Sequence, residues 1–439
     1  MKVTFVGAGS SIFAKNVLGD TMMCPTFYDM EIALYDIDAD RLEESRVLIE
    51  KLNENINESR ATVKTYLGVG ERKAALKDAD FVVNAVQIGG YEPCTVMDFE
   101  IPKKYGLRQT IGDTLGIGGI FRGLRTIQFL KGLAADIEEV CPNAWFLNYT
   151  NPMAILTGYM QRYTKVKTIG LCHSVQVCVP DMLAFLKMDV KAEDTIYKIA
   201  GINHMAWLLE ITDKQGNDLY PEIKRRAKEK NATEKHYDMV RYDYMDKLGY
   251  YCTESSEHNA EYSALYIKPN RDDLIEKFNI PLDEYPRRCV NQINEWKQTY
   301  QDILKGGTVE HTRSREYASH IMEAIATDKP YIIGGNVINN GVIPNLPKEA
   351  CVEVPCLVNA NGITPTYVGE LPLQLAAMNS LNIHVQLLTI EAAVTGKMSY
   401  VYQAAMLEPH AAASLSTDEI VAMCDELAEA HKKAGFPIL

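Results

Sequence analysis

Three short runs hold side chains that could do more than pack: Asn148-Tyr149-Thr150-Asn151-Pro152, Cys172-His173-Ser174-Val175-Gln176 and Gly201-Ile202-Asn203-His204. A thiolate is a soft, strong ligand, and an imidazole beside it makes a donor set suited to a transition metal. A hydroxylated substrate can fill the coordination positions left open. His204 lies too far beyond Cys172 for a local finger, so only the fold can pair them. On spacing alone a plainer reading stays open. A cysteine in an apolar strand is ordinarily packing, and a lone histidine is ordinarily a hydrogen-bonded structural residue.

The opening of the chain suggests a different chemistry. Gly7-Ala8-Gly9-Ser10-Ser11-Ile12 closes an apolar run and leads into a helical pattern. Glycines there let the backbone turn tightly and approach a pyrophosphate held on a helix N-terminus. Ile12 stands where the usual fingerprint has its third glycine, so the pattern depends on context. Asp36 supplies that context. A carboxylate at the end of the second strand can bind a ribose 2′-hydroxyl and would repel a 2′-phosphate, which favours NAD over NADP. Gly7, Gly9, Ser10, Ser11, Ile12 and Asp36 are thus candidate NAD contacts. Asn84 and Gln87 join them near the end of a later strand, with Asn148 and Asn151 as candidate substrate contacts at the next.

These residues need a sheet whose carboxyl edge gathers them. Lys2–Gly9, Glu31–Asp38, Thr62–Val69, Phe81–Gln87, Trp145–Tyr149 and Thr168–Leu171 read as strands, most of them apolar throughout. Helical patterns alternate with them: one running to about Met23, then Ala39–Asn57, Gly118–Val140 and Met153–Tyr163. The alternation predicts an α/β fold, a Rossmann-like doubly wound parallel sheet covered on both faces. After about residue 195 the pattern becomes α+β. Tyr197–Thr212 reads as one long strand, Pro221–Asn231 as a charged helix, and Ile332–Pro344 as a hairpin around Asn339-Asn340-Gly341. Val352–Val368 reads as a further antiparallel pair, and Leu371–Lys433 as mostly helical. Two domains are expected: 1–195 for NAD, and 196–439 for substrate, catalysis and oligomerisation.

Composition limits the function classes. Of 439 residues, 47% are hydrophobic and 23% charged, which is globular composition. A net charge of −13 argues against a nucleic-acid partner. No apolar run is long enough for a membrane span. The opening Met-Lys-Val-Thr-Phe-Val-Gly enters a strand directly, so a cytoplasmic location is expected. The ten cysteines show no framework spacing, and a reducing compartment makes most of them small buried hydrophobes. Arg225-Arg226 and Arg287-Arg288 read as solvated faces.

The order GAGS, NYTNP, CHSVQ, GINH and TESSEH-x-x-EY (Thr253–Tyr262), with the Gly112-Asp113-Thr114…Gly118-Gly119-Ile120 loop, resembles glycoside hydrolase family 4. The resemblance runs from Met1 into the C-terminal helices. It implies NAD⁺ and a divalent ion, usually Mn²⁺, in a redox–elimination reaction, the recognised exception to paired-carboxylate hydrolysis. By that likeness a sugar is oxidised at C3, loses its C2 proton, and then loses the group on C1. Cys172 and His204 would be metal ligands, Tyr262 the C2 base, and His173 the acid for the leaving oxygen. Asn151 would hold sugar hydroxyls, and Asp113 would be a further contact or a residue near the metal. The Cys172-His173-Ser174 run resembles the branch acting on unphosphorylated α-galactosides. The same family's α-glucosidases and α-glucuronidases or galacturonidases are the alternatives. A 2-hydroxy-acid dehydrogenase using Arg122 or Arg125, or a non-catalytic NAD sensor, would leave Cys172, His204 and TESSEH unexplained together. The helical second half suggests a homodimer or homotetramer.

Overall fold

The structure, a computed structural model, describes residues 1–305 and 309–439. Six strands form the parallel half: β1 (Lys2–Val6), β2 (Glu31–Asp36), β3 (Thr62–Leu67), β4 (Phe81–Asn84), β5 (Trp145–Asn148) and β6 (Lys167–Gly170). They lie in the order β3-β2-β1-β4-β5-β6. This is the doubly wound arrangement, in which the order of strand addition reverses between the parallel neighbours β1 and β4 and opens a crevice there. The apolar runs explain the parallel packing. Val3 and Phe5 face one layer of helices, while Val6, Val82 and Phe146 face the other. The helices Ala39–Asn57 and Met153–Tyr163 match the expected bounds, and Gly116–Val140 starts a turn-half earlier than its apolar pattern suggests.

The sheet then continues through the second half. It adds β7 (Thr195–Ile202), β8 (Met205–Asp213), β9 (Tyr251–Cys252), β10 (Tyr331–Ile338), β11 (Cys351–Asn359) and β12 (Gly362–Pro365). From β6 the order runs β10-β11-β7-β8-β9, with β12 on β11. Two expectations are corrected here. Tyr197–Thr212 is not one strand but the two antiparallel strands β7 and β8, joined at Asn203-His204. Apolar residues run through that turn, so periodicity could not reveal the reversal. Around Asn339-Asn340-Gly341 the chain does turn, but its partner strand begins only at Cys351, which pairs with Ile338. Asn339 accounts for the delay: its amide caps the carbonyls of Ile343, Leu346 and Pro347 and closes an internal loop.

The expected pair across Val352–Val368 is present as β11 and β12. The tail forms the helices Leu373–Thr395, Met398–Leu407, Pro409–Ser414 and Thr417–Lys433. It folds back on the parallel half, where Ile390, Val401 and Leu427 share a core with Ile120, Leu124 and Phe146. All ten cysteines are buried and unpaired among the described residues. No described helix is long and apolar enough to cross a membrane.

Candidate active site

At the first turn the glycines are required by close packing. Gly7 has φ +89°, and a Cβ there would sit 2.8 Å from the Ala85 carbonyl oxygen. Backbone cannot yield that space, so the position needs glycine. Asp36 ties the turn to β2: its Oδ2 accepts the Gly9 N–H at 2.6 Å and its Oδ1 accepts that of Ile37 at 2.8 Å. Ser10 is exposed at the helix start. The Ser11 hydroxyl turns inward to Ser45 at 2.7 Å, so its backbone N–H is what it offers at that terminus. Ile12, Ile37 and Val69 leave apolar surface exposed around this turn. Gln87 reaches Thr95. Asn84 and Asn148 are fully buried; Asn84 donates to Asn148 Oδ1 at 2.9 Å and to Thr150 Oγ1 at 3.1 Å. Their amides brace the ends of β4 and β5 against each other.

Past β6 the side chains converge. Cys172 Sγ lies 3.3 Å from His204 Nε2, and His204 Nδ1 lies 3.2 Å from the Tyr262 hydroxyl. The fold thus brings three predicted residues from distant segments into one hydrogen-bonded line. Glu254 is a member that the reading of the sequence did not single out. Its Oε2 lies 3.6 Å from His204 Nε2, and one donor atom each from Cys172, His204 and Glu254 falls within 4.8 Å of the others. His258 was also missed; its ring stands edge-on to His204 at 5.0 Å, and its Nδ1 lies 3.5 Å from Glu254 Oε1. Both belong to the TESSEH run, where an acid and an imidazole four residues apart were the available signal. His204 and Glu254 both hold positive φ, +64° and +65°. For residues other than glycine that costs about 1–3 kcal/mol each and is concentrated at functional positions.

The local field calls for positive charge. Burial pulls the His204 pKa down, but Glu254 and the Cys172 thiol overcome it and push the imidazole up to about 10. Burial also opposes charge on Glu254, yet His204, His258 and His173 hold its carboxyl down at about 2. Tyr262 is driven the other way. Burial, then the carboxylates of Asp113, Glu261 and Glu254, lift its phenol well above the usual range. Burial lowers His258.

Three contacts set this geometry. Tyr317 clamps the peptide of Cys172: it accepts the Cys172 N–H at 2.8 Å and can donate to the Cys172 carbonyl at 2.9 Å. Glu261 accepts the N–H groups of Thr110 and Gly112, both at 2.7 Å, and of Ile111 at 3.2 Å. It therefore pins the loop carrying Asp113 to the short helix Ser256–Glu261 that ends at Tyr262. Asp113 sits 3.4 Å from the Asn151 amide and 3.8 Å from His258 Nε2. The Asn151 Oδ1 has no partner among the described residues.

His173 stands apart from the line, its side chain 57% exposed and its Nδ1 3.9 Å from Glu316 Oε1. Ser174 beside it is buried, and its hydroxyl has no partner among the described residues. Arg225 and Arg226 pair with Glu222 on the helix Tyr220–Thr233, as a solvated face would. Arg288 departs from that reading, because it reaches the largely buried Glu257 of the TESSEH run.

Fold and site together define an α/β protein of the dinucleotide-binding architecture, with a thiol–imidazole–carboxylate centre and a phenol at its carboxyl edge. The chain belongs to family 4 of the glycosyl hydrolases. The family 4 glycosyl hydrolase model matches residues 2–188, and the model of that family's C-terminal domain matches 199–411. An alpha-galactosidase of Bacillus subtilis (strain 168) is 59% identical over 430 residues, 98% of each chain. An alpha-galactosidase of Rhizobium meliloti (strain 1021) is 33% identical, covering 98% of this chain and 88% of its own. A 6-phospho-alpha-glucosidase from gut microorganisms, solved with NAD and Mn²⁺, superimposes with a TM-score of 0.82 at 24% identity over 99% of both chains.

Proposed function

We propose that this glycosyl hydrolase is an α-galactosidase that cleaves unphosphorylated α-galactosides by NAD⁺- and Mn²⁺-dependent oxidation and elimination. The observation that carries the reading is the line Cys172–His204–Tyr262 with Glu254 alongside. The donor set fits a divalent ion: soft sulfur, imidazole nitrogen and carboxylate lie within reach of one centre, in a field that already raises the His204 pKa. The first turn fits NAD⁺ as well. Asp36 stands at the end of β2, and Ile12, Ile37 and Val69 offer exposed apolar surface that a flat base could cover. The identity with the two alpha-galactosidases supports galactose as the sugar.

When bound, NAD⁺ would supply a hydride acceptor for C3, and Mn²⁺ a Lewis acid that makes the C2 proton removable. The chain's own residues would do the rest. Cys172, His204 and Glu254 would hold the ion. Tyr262 would take the C2 proton through its phenol oxygen, and a cation beside His204 would offset the carboxylates that keep this phenol protonated. Asn151, whose amide oxygen awaits a donor, would accept from a sugar hydroxyl, with Asp113 beside it. His173, solvent-facing at the start of the helix Ser174–Phe185, would protonate the leaving oxygen. Hydrolysis of p-nitrophenyl α-galactoside with Mn²⁺, NAD⁺ and a thiol reductant tests this, set against α-glucosides, uronides and 6-phosphorylated analogues. Turnover that survives chelation and desalting, or that prefers another sugar, overturns the corresponding part.

A further inference from the structure

Four residues stand in one row across the seam where the parallel and antiparallel halves meet. Gly170 on β6 pairs with Asn336 on β10, Asn336 pairs with Glu353 on β11, and Glu353 pairs with Gly201 on β7. Asn336 and Glu353 are almost wholly inaccessible, as is Asn203 in the turn just beyond Gly201. Glu353 Oε1 accepts from the Asn336 amide at 2.9 Å and from the Asn203 amide at 3.2 Å. Asn336 also reaches the Gly170 carbonyl at 3.3 Å. Both glycines are forced by close neighbours, Gly170 in part by Asn336 of this row and Gly201 by the adjoining strand β8. A Cβ on Gly170 would lie 2.8 Å from that of Asn336, and one on Gly201 would lie 2.7 Å from the Met205 carbonyl oxygen.

An acid this deep is costly, and Glu353 has no lysine or arginine to offset it in this row. Its second oxygen, and the amide oxygens of Asn203 and Asn336, find no partner among the described residues. Three apolar side chains would fill the seam at less cost, so stability alone does not account for them. What they connect does. Gly170 is two residues before Cys172, and Asn203 is one before His204.

Resting on the metal reading above, we propose that Glu353 is a positioning residue: a single carboxylate oxygen that, through Asn336 and Asn203, fixes the distance between the segments bearing Cys172 and His204. Neither ligand segment is otherwise bonded to the other by strand pairing, because β6 and β7 are separated by β10 and β11. Glu353 spans that gap from the strand between them. Residues that orient metal ligands from behind typically change affinity by ten- to a hundredfold when removed.

The test is titration of metal-free full-length protein with Co²⁺, following the thiolate-to-cobalt absorption band, with NAD⁺ affinity and thermal midpoint measured on each variant. Glu353→Leu removes the shared acceptor and is expected to weaken Co²⁺ at least roughly tenfold while NAD⁺ affinity stays within about twofold. Glu353→Gln keeps an oxygen that can accept both amides and is expected to retain Co²⁺ affinity within about threefold. Asn336→Ala, which removes the bonds to Glu353 and to the Gly170 carbonyl but leaves that between Asn203 and Glu353, should show an intermediate loss should Glu353→Leu not fold. In the double variant the losses should not add, as for members of one network. Unchanged Co²⁺ affinity in Glu353→Leu or Asn336→Ala overturns the proposal, as does an equal loss in Glu353→Gln, which would mean that charge rather than hydrogen bonding acts. Wild-type protein with no thiolate band would overturn the metal reading itself, and the tether with it.

Discussion

Gly7, Asn84, Asn148 and Cys172 each stand within two residues of the carboxyl end of a parallel strand, whereas His204, Glu254 and Tyr262 stand on turns and a short helix of the other half. In the parallel half, strand direction alone carries these residues to one edge, and backbone pairing holds them there. In the antiparallel half the corresponding residues need special local structure. His204 and Glu254 are left-handed, and Tyr262 depends on Glu261 gripping a loop from the first half. One region obtains its site geometry chiefly from topology, with Asn84, Asn148 and Tyr317 bracing the strand ends, the other from left-handed turns and buried side-chain hydrogen bonds. Single substitutions should therefore act differently in the two.

The largest expected effect comes where both regions meet. Cys172→Ala should lower kcat/KM roughly a thousandfold, about 4 kcal/mol, by removing a ligand for a Lewis acid. NAD⁺ affinity should remain, since the Gly7–Asp36 turn has its own bonds. A parallel loss of NAD⁺ binding in equilibrium titration would collapse the distinction between the halves. Tyr262→Phe should cost about a hundredfold in kcat, in the range for a lost general base, with little change in KM. Its rival outcome is instructive: near-normal exchange of a C2 deuterium label with solvent would remove Tyr262 as the base.

Asp36→Ala probes the parallel half alone. Losing a carboxylate that braces Gly9 and would bind the ribose should weaken NAD⁺ by about 1.5–3 kcal/mol. Mn²⁺ affinity without NAD⁺ should not change, and a shift in both would show the turn and the metal centre to be one unit.

An effect on stability, and not on the site, concerns the tail that covers the parallel half. Burial pushes the Glu408 carboxyl up to about 7, against the pull of the His410 and Ala411 N–H groups. Between about 4.5, the ordinary glutamate value, and 7 the folded state keeps a proton that the unfolded chain has lost. Stability from this group is therefore full below that window and falls as pH rises through it. Glu408→Gln should flatten that part of the pH profile of thermal stability by up to about 3 kcal/mol. A profile identical to that of the parent would show that the Glu408 proton is not linked to folding.

How much of this was readable in the chain divides along the same line. Five of the six parallel strands follow from apolar runs, because a sheet buried on both faces needs continuous hydrophobic segments. The sixth, β3, is a largely exposed edge strand and has no such run. The helices Ala39–Asn57, Gly116–Val140 and Met153–Tyr163 follow from 3.6-residue periodicity. The glycine turn and Asp36 follow from local steric and charge requirements. In the second half the reading of Tyr197–Thr212 as one strand failed at His204 itself, where a left-handed residue reverses an otherwise apolar run.

The sequence by itself determined the sheet's parallel half, the nucleotide turn, and which motifs could hold a thiol, an imidazole and a phenol. Only the tertiary structure decided that Cys172, His204 and Tyr262 lie in one line and that Glu254 and His258 join them. It also decided that Tyr317 and Glu353 hold the arrangement from behind. The reason is range. Periodicity and turn chemistry act over a few residues, whereas these contacts close across chain separations that only the packed sheet brings together.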